Sequence, residues 1–170
     1  AMQGMPPMIT MRVDDVDSGG GIQYDLEWIK ISNEFGIIPW CGIFTNWILP
    51  HAIPTLKTLI DNNKATASPH SFGPTFMYYN HENLSSFDPA ANTRMGRDFF
   101  IQNGLKISKY FVPHYYEVSS EALPEIRAMG GEFLGIHMLP DNSYNGAPWL
   151  NCAPYRINRY GVAANNTPVY

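Results

Sequence analysis

Short apolar runs alternate along the chain with longer stretches of helical spacing. Ile9, Met11 and Val13 alternate with polar neighbours and predict a strand over residues 8–13. Four further apolar segments bounded by turn residues, 37–44, 65–68, 109–112 and 133–136, predict four more strands. Between them lie helical patterns at 24–35, 54–62, 91–103 and 120–129. In the second, Leu56, Leu59 and Ile60 share one face, and Asn62 and Asn63 close the C-terminal end. Gly104 stops the third; a serine cap, an early Pro124 and Gly130–Gly131 frame the fourth. Strands that alternate with helices predict an α/β fold with parallel strands.

The residues at the strand tips change the picture. The first strand ends in Asp14–Asp15, the second in Thr45–Asn46, the third in Pro69–His70–Ser71, the fourth in Pro113–His114–Tyr115 and the fifth in His137. In parallel α/β folds the C-terminal tips share one face, and that face holds the active site. Two carboxylates and three of the five histidines therefore converge there. Carboxylate plus imidazole is a ligand set for zinc or a similar divalent ion. Where the chain turns at a tip, two adjacent aspartates can take different roles, one holding a metal and the other taking a proton from water.

Composition narrows the function classes. Charged residues are only 15% of the 170, against a usual share of about 25%, while aromatics are 14%, including ten Tyr and four Trp. Such a surface suits neutral, hydroxyl-rich ligands such as sugars, with Trp40, Trp47 and Trp149 as candidate stacking faces and Trp40 equally a core residue. The net charge of −4 and the lack of a basic block argue against nucleic acid as a partner. No apolar run approaches the ~18–20 residues of a membrane span. Cys41 and Cys152 lack metal-like spacing and read as buried thiols rather than a disulfide. His51 opens a helix and reads as structural or exposed. Residues 1–7 read as a cloning remnant or leader, 8–141 as the α/β core, and 142–170 as an irregular Pro- and Asn-rich tail.

In order and spacing, the motifs resemble those of the polysaccharide deacetylases, the family-four carbohydrate esterases. "MRVDDV" is similar to the family's T-F-D-D-G, "GIIPWCGIFTN" to its second strand, "LKTLIDNNKATASPHSF" to the helix and H-[ST]-x-x-H segment, and "KYFVPHYYEVS" to its R-x-P-Y motif. The resemblance spans about residues 8 to 141. It implies a distorted or incomplete (β/α) barrel with the active site at the strand tips, and a secreted, periplasmic or cell-surface location. It further implies that Asp14 is the catalytic base and that Asp15 and His70 hold a divalent metal, zinc before others. The second motif histidine falls on Pro74, which leaves His81 as the third metal ligand with His114 as its rival. His114, Tyr115 and His137 would line the substrate side. The motif arginine falls on Val112, so no residue stands out to orient Asp14. The function implied is removal of acetyl groups from a polysaccharide or oligosaccharide; the alternative is a carbohydrate-binding module on a degenerate barrel. A third reading is a metal-free glycosidase using Asp14 and Asp17.

Overall fold

The structure, a computed structural model, describes residues 10–19, 25–74, 88–114, 118 and 121–135. The elements run β1 (Arg12–Val16), α1 (Glu27–Glu34), β2 (Trp40–Phe44), α2 (Ile53–Asp61), β3 (Thr66–Ser71), α3 (Pro89–Gln102), β4 (Tyr110–Phe111), α4 (Ala122–Ala128) and β5 (Phe133–Leu134), with a 3-10 turn, Pro50–Ala52, before α2. The alternation and the parallel pairing are those expected. β1, β2 and β3 form one parallel sheet in that order, and β4 and β5 pair in parallel beside it. A closed barrel is not seen among the described residues.

Several strand boundaries differ from the sequence reading: β1 and β2 begin later, at Arg12 and Trp40, β4 is shorter, and two of the strand ends bear on the site. β1 runs through Asp14 and Asp15 to Val16, and β3 runs through Pro69 and His70 to Ser71. The carboxylates and the histidine lie inside the pairing rather than past its end. Helix 4 also begins differently: its N-cap is Glu121, with no side-chain cap hydrogen bond.

The four helices end in one way. The amide of Ile37 bonds the carbonyl of Ser32, Lys64 that of Leu59, Leu105 that of Phe100 and Gly131 that of Ile126. Each closure needs a left-handed residue just after the helix, supplied by Gly36, Asn63, Gly104 and Gly130. At its start, α3 is capped by Asp88, whose carboxylate accepts from the Ala91 amide at 2.9 Å.

β2 is buried on both faces. Its outward residues Cys41 and Ile43 pack with Ala65 and Ala67 under Ile29, Leu56, Ile60 and Phe100 of the helices. Its other face carries Trp40 and Gly42 toward the interior, where the Trp40 indole donates to the Tyr110 carbonyl at 2.9 Å. That bond, with the one from the Ser108 amide to Ala67 O, ties the β4 segment to the three-stranded sheet. Trp40 is thus a core residue, 5% exposed.

Cys41 is a free, buried thiol, as expected of it; Cys152 lies outside the described residues. Burial pushes its pKa from 9.0 up to about 12. Thiol reagents at pH 8 will leave Cys41 unlabelled in the folded protein and label it after denaturation, checked by mass spectrometry. Because the folded value lies above the unfolded one, the stability linked to this thiol is present below pH 9 and is lost as pH rises toward 12.

Candidate metal centre

The site begins with two irregularities in strand pairing. Along β1, Val13 pairs with Cys41 and Val16 with Ile43, so β1 spends one residue more than β2 over this step. Along β3, Pro69 pairs with Ile43 and Ser71 with Phe44, so His70 is the extra residue. A bulge bends its strand and re-aims a side chain. Asp15 takes a left-handed backbone, φ 59°, a conformation aspartate tolerates better than most residues. Asp14 and Asp15 consequently diverge, Asp14 toward Arg12 and Asp15 toward the histidines.

Asp15, His70 and His114 meet. Asp15 Oδ1 lies 3.1 Å from His70 Nε2 and 3.2 Å from His114 Nδ1, and the two ring nitrogens lie 3.2 Å apart. Each ring spends its other nitrogen on a backbone carbonyl: His70 Nδ1 on Val112 O at 2.6 Å, His114 Nε2 on Pro74 O at 3.0 Å. A carbonyl only accepts, so those nitrogens carry the protons of the neutral rings. His70 Nε2 and His114 Nδ1 are then bare lone pairs, facing each other and a carboxylate oxygen. Three acceptors so placed repel one another unless a cation or a proton stands among them. The triangle also has the size of a metal site, because ligand atoms about 2.0–2.1 Å from a tetrahedral zinc stand roughly 3.3 Å apart. Tethering a ligand histidine through its second nitrogen is the usual way to fix its tautomer and orientation.

The surroundings hold the rings in place. His70 is 2% and His114 6% exposed, with Phe44 against both at centroid distances of 5.7 and 5.1 Å and Trp40 edge-on to His70 at 6.3 Å. Gly42 makes the room: a Cβ there would stand 3.0 Å from His70 Cγ and 2.9 Å from the Trp40 ring. With a proton rather than a cation on the facing ring nitrogens, hydrogen bonds from His114, and then from His70, hold the Asp15 carboxyl well below the usual carboxylate range, overcoming the opposing effect of burial.

Asp14 stands apart from this triangle. Its Oδ2 accepts from Arg12 Nη2 at 3.1 Å, while its Oδ1 is buried with no hydrogen-bond partner among the described residues. Arg12 lies two residues earlier on the same strand, on the same side, and sequence reasoning passed over it. The alternation of a strand was the signal that could have found it. Asp17 accepts from the Gly19 amide at 2.7 Å, tying down its own loop. His51 is half-exposed and lies 3.2 Å from Asp25. His81, Tyr115, His137 and Trp149 lie outside the described residues.

No protein-family model matches the chain, and no curated protein matches it at a significant level. Among solved structures, the chain is similar to IcaB from Ammonifex degensii, with 13% identity and a TM-score of 0.54. That likeness covers 75% of this chain, which spans 58% of the IcaB chain. BA3943, a CE4 family pseudoenzyme from Bacillus anthracis, aligns at 14% identity over 74% of this chain and 41% of its own, with a TM-score of 0.44. At such identity the likeness to IcaB shows the fold alone.

Proposed function

We propose that the protein is a metal-dependent hydrolase that removes acetyl groups from a polysaccharide or oligosaccharide. The observation that carries the reading is the meeting of Asp15, His70 and His114, with each ring tethered through one nitrogen so that the other faces a carboxylate oxygen. The order of the sequence motifs supplies the substrate class, and the likeness to IcaB supports the fold. No helix among the described residues is long and apolar enough to cross a membrane.

Asp15, His70 and His114 would hold the ion, zinc being favoured by one carboxylate and two imidazoles. When bound, a divalent ion supplies Lewis-acid polarisation of an acyl carbonyl and of water. Asp14 would contribute the base: its Oδ1 is buried with no hydrogen-bond partner among the described residues, a demand that a proton would meet, while Arg12 holds Oδ2. Phe44 and Trp40 shield the imidazoles from bulk water.

A second reading has its own observations: Pro74 and Val112 stand where the resemblance expects a histidine and an arginine, as in a barrel that keeps its sugar groove without turnover. In the structure both residues serve instead through backbone carbonyls, each fixing one imidazole. Acetate release from acetylated chito- and xylo-oligosaccharides decides between the two. The hydrolase will release acetate, lose the activity to a chelator and regain it with zinc or cobalt; an Asp14→Asn protein will keep its metal and lose at least about a hundredfold in rate. Metal uptake and glycan binding without acetate release would leave the binding module as the correct reading.

A further inference from the structure

The metal triangle occupies one end of the strands, and a cavity of about 420 Å³ lies at the other. The first residue of each of the five strands lines it: Arg12, Trp40, Thr66, Tyr110 and Phe133, with the exposed Ile38 beside them. Its walls are held by the backbone and by ring contacts. The Trp40 amide donates to Met11 O and the Thr66 amide to Pro39 O, each at 2.9 Å, so the starts of β1, β2 and β3 are tied together. The Trp40 indole is fixed by its bond to Tyr110 O and stands edge-on to the Tyr110 ring at a centroid distance of 5.4 Å. A concave site of this size, with aromatic walls already in place and few polar groups, has the usual form of a small-molecule pocket.

Charge selects the ligand. Arg12 is the one charged residue among those that line the cavity, and its side chain is 35% exposed. An end closed by packing alone favours apolar side chains, because a charge drawn out of water must be paired or hydrogen-bonded. Arg12 meets that demand on one side through Asp14, whose Oδ2 accepts from Nη2 at 3.1 Å. A guanidinium is a planar fork of five N–H donors shaped to take carboxylates. A carboxylate entering the cavity therefore competes with Asp14 for it. The surrounding rings of Trp40, Tyr110 and Phe133 suit a flat apolar body attached to that carboxylate.

We infer that this cavity is a binding site for a small monocarboxylate with an aromatic body, its carboxylate on Arg12 in competition with Asp14 and its ring among Trp40, Tyr110 and Phe133. Two of the wall residues connect the site to the far end of the strands. Arg12 bonds Asp14, the neighbour of Asp15, and Trp40 stands edge-on to His70 at 6.3 Å. The inference goes beyond the hydrolase reading and needs neither hydrolysis nor a metal in the triangle.

The test is calorimetric titration of the full chain with 3-phenylpropionate, 3-phenylpropionamide and propionate. The aromatic acid will bind; the amide, which lacks the charge, and propionate, which lacks the ring, will each bind at least about tenfold more weakly. Thr66→Trp fills the cavity from the exposed first position of β3 and will abolish binding with an unchanged circular dichroism spectrum. Arg12→Gln will bind acid and amide alike. Asp14→Asn removes the rival carboxylate and will raise the affinity for the acid by about three- to tenfold while leaving that for the amide unchanged. A merely structural Arg12–Asp14 pair would shift acid and amide together. No binding of the acid, equal binding of acid and amide by wild type, undiminished binding by Thr66→Trp, or the same acid affinity in Asp14→Asn as in wild type would each overturn the inference. Acetate release plays no part in these readouts, so the hydrolase can fail while this site stands, and the reverse.

Discussion

Protein offered zinc will retain about one ion per chain, and His114→Ala will lose it as completely as Asp15→Ala or His70→Ala. Each substitution removes one corner of a triangle whose edges are 3.1–3.2 Å. Loss of an outer partner of a metal ligand typically costs about 10- to 100-fold in affinity, and loss of a ligand itself will exceed that. Elemental analysis after dialysis, followed by competition with a coloured chelator, measures both quantities. His81→Ala is the decisive companion: it will keep its zinc if His114 is the third ligand, and the assignment reverses if His81→Ala loses the ion while His114→Ala keeps it. Binding to the folded state alone also raises stability. At a free zinc concentration a hundred times the dissociation constant the gain is about 2.7 kcal/mol, or roughly 5–10 °C in Tm for a chain of this size. None of the three alanine variants will show that rise.

Gly42→Ala will damage the candidate metal centre without replacing any residue of the triangle. The added methyl would stand 2.9 Å from the Trp40 ring and 3.0 and 3.1 Å from His70 Cγ and Cβ, closer than packed carbons allow. Backbone cannot easily yield, since β2 is paired on both sides. The His70 ring must tilt, and tilting breaks either its tether to Val112 or its aim at the metal. Overpacking of this kind costs about 1–3 kcal/mol. Thermal melts with and without zinc separate the two effects. Leu56→Ala, buried in the outer core on α2, serves as the control: it will cost about 2–5 kcal/mol and leave zinc affinity unchanged. Equal zinc affinity in Gly42→Ala and wild type would show that His70 has more freedom than this packing allows.

The alternation of strands and helices was legible because each element has one clear period. Val13 read as strand and lies in β1, Leu56, Leu59 and Ile60 read as a helix face, and the asparagine or glycine after the second, third and fourth helices fell where the left-handed closures are found. Convergence of Asp15 with His70 was legible too, since parallel strands place their tips together. What was hidden depends on register. A bulge leaves no mark in composition, so Asp14–Asp15 and Pro69–His70 read as chain beyond the strands when they lie within them. The meeting of His114 with His70 needed the proximity of β4 to β3, through contacts such as His70 to Val112 O across 42 positions of sequence. Arg12 was overlooked because attention went to the residues at the strand tips, and it stands two residues before Asp14 on the same side of β1. Gly42 was silent because a glycine's purpose is set by its neighbours.

The extra residue in each bulge has a consequence for how this chain can change. Hydrogen-bonded pairing before and after His70 is already in step, Ile43 with Pro69 and Phe44 with Ser71. The candidate ligand at this tip is therefore a residue that the ladder does not count. The donor at such a position can be removed or exchanged while the sheet keeps its pairing, so a chain stripped of this side chain can still fold alike.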